Sequence, residues 1–109
     1  MAYDEELADR VREHVEREQG LTEKKMFGGL AFLINGRMAV AAGSRGGLLL
    51  RCDPADTESL LLEPNAGPFE MRGREMEGWL QLDANGLTED ELDQWIQRGV
   101  EYAKSLPPK

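Results

Sequence analysis

Residues 24–53 read KKMFGGLAFLINGRMAVAAGSRGGLLLRCD, and the fold turns on how this stretch pairs with itself. Asn35-Gly36 stands between two apolar runs. A type I′ turn needs positive φ at both central positions, and Asn-Gly accepts it at little cost, so the dipeptide is a strong hairpin signal. The pattern places one strand at about 27–34 and its partner at about 37–42. The segment GSRGG at 43–47 is a second turn, leading to a third strand at about 48–52. The three make an antiparallel meander. Gly28-Gly29 weakens the first run as a strand and points to a bulge or a close backbone approach there.

Helical periodicity frames this meander. Residues 4–18, DEELADRVREHVERE, place Leu7, Ala8, Val11, His14 and Val15 on one stripe. Acids fill the first turn, where the helix dipole favours them, and Gly20 is a stop. Glu6–Arg10 and Glu13–Arg17 have the i,i+4 spacing of exposed ion pairs. At the other end, Thr88 and Glu91 form a capping box inside a Leu87–Leu92 staple. Leu92, Trp95, Ile96, Gly99, Val100 and Ala103 then continue a single stripe to Pro107-Pro108.

Between these regions, Asp53-Pro54 opens a short helix, with Asp53 as N-cap and Pro54 at N1. Pro64 bars its continuation. PFEMR and MEGWLQLD follow as two strands around Gly73-Arg74-Glu75. In the first, Phe69 and Met71 alternate with Glu70 and Arg72, so both are expected to turn to the core. In the second, Leu80 and Leu82 oppose Trp79 and Gln81. The order α-β-β-β-α-β-β-α predicts an α+β domain spanning 1–109, an antiparallel sheet of about five strands with helices packed on it. Periodicity leaves open how the two strand groups join.

The totals bound the function. The 109 residues suffice for one core, and the single cysteine, Cys52, rules out an internal disulfide and a cysteine-cluster zinc site. This fits a reducing cytoplasm. The opening MAYDEELADR has no apolar segment of a signal peptide, and no run is long enough to span a bilayer. Residues 1–20 carry seven acids and three bases, and residues 83–109 six and three. Residues 21–82 carry eight acids and seven bases, so most of the net charge of −8 lies at the two ends. Such a chain is not expected to grip nucleic acid nonspecifically or to favour an anionic membrane. A protein partner or a small ligand is expected instead.

No catalytic signature appears. His14 is the only histidine and reads as a packed or partly solvated helix residue. Cys52 reads as structural, because adjacent Asp53 opposes thiolate formation. The carboxylates lack metal-ligand spacing, so no metal or other cofactor is expected. GSRGG lacks the ending of a phosphate-binding loop and reads as a plain turn. Arg37, Arg45, Arg51, Arg72 and Arg74 all fall in the predicted sheet or its turns. Were Arg51 and Arg72 on neighbouring strands, their guanidinium groups could converge on one carboxylate or phosphate. The competing reading pairs the hairpin arginines with Glu70, Glu75 and Glu77. Trp79 adds an aromatic of the kind common at interfaces.

Four segments carry a resemblance: KKMFGGLAFLINGRMAVAA, LLLR, PFEMRGREMEGWLQL and LDQWIQRGVEYAKSLP. Together they resemble the TfoX/Sxy N-terminal domain family over about residues 3–106. The shared pattern is a Met-Phe-Gly-Gly strand, an Asn-Gly hairpin, a Met-x-Gly-Arg strand with an aromatic soon after, and a Trp-containing last helix followed by Tyr-Ala. The resemblance implies a fold akin to secretion-chaperone domains and transfers no catalytic residues. It also implies a bacterial regulator of natural competence, a coactivator beside a cyclic-AMP receptor protein. Those regulators carry a second, C-terminal helical domain, and this chain reads as the N-terminal domain standing alone.

The expected function is therefore a non-enzymatic protein-interaction domain of a cytoplasmic, transcription-associated regulator, able to form a homodimer. Its partner would meet Arg51, Arg72, Arg74 and Trp79. The alternative is a small-anion or nucleotide-binding protein using the same arginines.

Overall fold

A computed structural model describes residues 3–26, 29–43, 47–71 and 73–107. Helix α1 spans Glu5–Val15, and strands β1 to β4 span Leu21–Met26, Gly29–Ile34, Arg37–Ala42 and Gly47–Arg51. A 3-10 turn at Pro54–Asp56 leads into a single-turn helix α2, Thr57–Leu60. Strands β5, Ala66–Met71, and β6, Arg74–Asp83, precede a second 3-10 turn and helix α3, Glu89–Ser105. All six strands form one antiparallel sheet in the order β1-β2-β3-β4-β6-β5. The two strand groups thus join through β4 and β6.

The Asn35-Gly36 hairpin forms as its chemistry requires, with φ of 53° and 83° and with Ile34 opposite Arg37. The expected close approach is present at Gly29, where a Cβ would stand 2.5 Å from the Ala42 carbonyl oxygen. The rest of Met-Phe-Gly-Gly falls partly on residues 27 and 28, and the middle of GSRGG on residues 44–46, outside the described residues. Strand β1 is an addition to the expected order. LTEKKM lacks apolar alternation because it is the sheet's charged outer edge, a pattern that discourages edge-to-edge pairing.

Helices α1 and α3 cover one face of the sheet. Phe32, Val40, Leu48, Leu50, Leu80 and Leu82 meet Leu7, Val11, Leu92, Ile96 and Val100 there, all fully buried or nearly so. Every residue of the predicted α3 stripe is buried, and the capping box is complete. A Cβ on Gly99 would stand 2.7 Å from the Ala39 carbonyl oxygen, so only glycine lets α3 settle this closely on β3. The arginines of α1 do not make the expected i,i+4 pairs. Arg10 reaches across elements to Glu89 at 2.7 Å, and Arg12 joins Glu23 at 2.8 Å while also pairing with Asp9, three residues before it, at 2.7 Å.

Candidate functional site

The face of the sheet away from the helices carries a second apolar cluster. Ala31, Met38 and Ala41 are buried there beneath half-buried Leu33, Leu49 and Trp79. Arg51 of β4 stands directly opposite Trp79 of β6 in the sheet register. Its guanidinium carbon lies 5.2 Å from the Trp79 ring centroid and 5.7 Å from that of Tyr102 in α3. Both fall within the reach of cation–π attraction, about 6 Å. The Phe69 ring extends the aromatic group, 6.4 Å from Trp79 and tilted to it.

Phe69 was expected to turn to the core, and the structure reverses this. Leu80 stands opposite Pro68 and Glu75 opposite Glu70, so four residues of β6, 76–79, occupy the place of one residue of β5, Phe69. This wide bulge shifts the register between Pro68 and Glu70 and carries Phe69 to the Trp79 side. A built anchor holds the bulge. Gly78 donates its N–H to Thr57 Oγ1 at 2.8 Å and accepts from the Cys52 N–H at 2.8 Å, with Gly78 at φ +86°. Thr57 is the one buried polar side chain among the described residues, 8% exposed. Bulges recur beside functional sites because they re-aim side chains.

Of the predicted arginines, Arg51 and Arg74 do not share one place. Strand β6 separates β4 from β5, so the neighbour of Arg51 is Trp79. Arg72 lies outside the described residues. Arg74 is exposed at the hairpin tip, beyond the bulge from Trp79. Among the described residues it makes no ion pair with Glu70, Glu75 or Glu77. Glu70 and Glu75 instead stand directly opposite each other, a like-charge placement that lowers sheet stability.

The sequence matches the family model of the TfoX N-terminal domain over residues 13–103. The chain belongs to the TfoX N-terminal domain family. No curated protein and no solved structure matches it significantly.

Two further groups bear on chemistry in this TfoX N-terminal domain. His14 is half-buried between α1 and α3, its Nε2 3.1 Å from Glu89 Oε2 and its Nδ1 3.1 Å from Asp93 Oδ1. Both ring nitrogens are thus engaged in joining two helices, a role invisible in a sequence separation of more than seventy residues. Cys52 is buried, and burial pushes its thiol up. The Thr57 hydroxyl opposes that rise, while Asp56 and Asp53 add to it. A thiol so placed is a poor nucleophile. Among the described residues no three His, Cys, Asp or Glu side chains are grouped to hold a metal ion. Among the described residues no helix is long and apolar enough to cross a membrane.

Tyr102 is the contact residue that periodicity missed. Its signal lay in the Tyr-Ala that follows the helical Trp, and only the tertiary fold brings it to Arg51.

Proposed function

We propose that this domain is a non-enzymatic protein-interaction module of a bacterial, cytoplasmic transcription-associated regulator. The observation that carries the reading is the stack of Arg51 on Trp79 and Tyr102, which joins an edge of α3 to the second apolar cluster of the sheet. Arg and Trp are the residues that most often anchor protein interfaces, where an aromatic supplies area and a stacked guanidinium retains its planar donor fork. Among the described residues Arg51 has no carboxylate partner, which leaves that fork for one on another protein. Family membership supports the regulatory setting, and a cyclic-AMP receptor protein is the expected kind of partner. The acidic charge opposes direct nucleic-acid contact.

The test is retention of a purified cyclic-AMP receptor protein on immobilised domain. Arg51→Ala and Trp79→Ala should each reduce retention by at least about tenfold, as expected of interface anchors. Circular dichroism should keep its folded spectrum. Full retention by both variants would overturn the reading. So would micromolar binding of generic duplex DNA with a steep salt dependence.

The open fork of Arg51 also favours a second reading, a small-anion site on the same face. Stabilisation by phosphate or a nucleotide in a thermal-shift screen, lost in Arg51→Ala, would favour it over a protein partner.

A further inference from the structure

The β6 bulge does more than re-aim Phe69. As Met76–Gly78 arch toward the 3-10 turn and α2, they leave a groove of about 530 Å³ beside the Trp79 strand segment. Pro54, Leu61, Pro68 and Met76 supply its apolar lining. Glu58, Glu75 and Glu77 also line it, and all three are exposed. Among the described residues none of the three makes an ion pair. Leu62, next to Leu61, is 85% exposed and is the one large hydrophobic so exposed among the described residues. A groove half apolar and half polar, with three carboxylates unpaired among the described residues and an exposed leucine beside it, is complementary to one kind of occupant.

We propose that this groove docks a short extended segment of a partner protein in which Arg or Lys side chains flank an apolar residue. The apolar side chain enters between α2 and the hairpin arm, and the cations meet Glu58, Glu75 and Glu77. Charge complementarity sets this chemistry. The carboxylates repel phosphate and acidic peptides, and the net charge of −8 draws cationic segments from a distance. Two structural costs agree with it. The Glu70–Glu75 apposition and the bulge both sacrifice regular pairing, and a cationic occupant would relieve the first. The inference rests on the protein-interaction reading above and extends its contact surface, which adjoins the groove at Trp79.

The probe is a fluorescein-labelled ten-residue peptide of interleaved Arg and Leu, read by anisotropy at low salt. Two matched peptides replace every Arg with Glu or every Leu with Ser. The Arg–Leu peptide should bind in the micromolar range, weaken as salt rises, and exceed each control by at least about tenfold, equivalent to 1.4 kcal/mol. The triple variant Glu58→Gln, Glu75→Gln, Glu77→Gln should lose at least about tenfold while melting no lower than the native domain. Equal binding of the Glu peptide, or undiminished binding by the triple variant, would overturn the proposal. So would a native dimer in sedimentation that the triple variant abolishes, because the groove would then belong to a second copy. If no peptide binds but the triple variant still retains the cyclic-AMP receptor protein, the groove proposal alone fails. If the peptide binds as stated and the receptor is not retained, the groove stands and the assigned partner falls.

Discussion

The two hairpins of this sheet are built to different ends. In β2–β3 the turn is a tight Asn35-Gly36 pair, and Phe32 and Val40 lie opposite each other in the buried core. In β5–β6 Met71 stands opposite Arg74 and Glu70 faces Glu75, and beyond them comes a four-against-one bulge. The first hairpin is buried against α1 and α3. The second arches toward a one-turn helix and presents acids, an aromatic pair and a groove. Pairing interrupted by a single extra residue, Ala39, serves the core, and the more irregular arm forms surface that is complementary to something else. Their difference separates residues that hold the fold from residues that face a partner.

Breaking the core hairpin should have the largest effect. Phe32 is fully buried, and Phe32→Ala should cost about 3–5 kcal/mol through lost burial and a cavity. Denaturant unfolding followed by circular dichroism measures it directly. The irregular arm is anchored through Gly78. Thr57→Val keeps the shape but leaves the buried Gly78 N–H without its acceptor, at a cost of about 1–3 kcal/mol. The same variant should loosen the bulge, seen as faster hydrogen exchange at Gly78.

Removing the like-charge apposition should sharpen the contrast by acting in the opposite direction. Glu70→Gln is expected to stabilise the domain by roughly 0.2–1 kcal/mol, read as a small rise in melting temperature. The smallest expected effect lies in the helical layer. The hydrogen bond from His14, and then that from Arg10, hold Glu89 below the ordinary carboxylate range. Its pairing therefore adds stability above a pH of about 4.3, lost as pH falls through the lower value of the folded state. The Glu89 side chain is 58% exposed, so solvent screens most of this. Glu89→Gln should flatten the acid limb of urea midpoints slightly and leave neutral-pH stability almost unchanged.

The sequence was most legible where structure is local. The Asn35-Gly36 turn, the Thr88–Glu91 capping box and the α3 stripe all rest on neighbours within about four residues. Strand β1 was not legible because an edge strand needs no apolar alternation to form. The bulge was hidden for a different reason: its anchor, Thr57, lies twenty-one residues from Gly78, and nothing in FEMRGREMEGWL shows that four residues will face one. Phe69 was therefore assigned to the wrong side. The pairing of Arg51 with Trp79 depended on β4 meeting β6, a strand order that periodicity cannot supply. The candidate site was thus visible as residue types, and its assembly was not.

One paired measurement tests the separation of fold from contact surface most directly. The Glu58→Gln, Glu75→Gln, Glu77→Gln variant is melted and, in the same preparation, titrated with the Arg–Leu peptide. The account predicts a melting temperature equal to or above that of the native domain, together with at least about tenfold weaker binding. A lower melting temperature with unchanged binding would contradict it, because those glutamates would then be holding the fold.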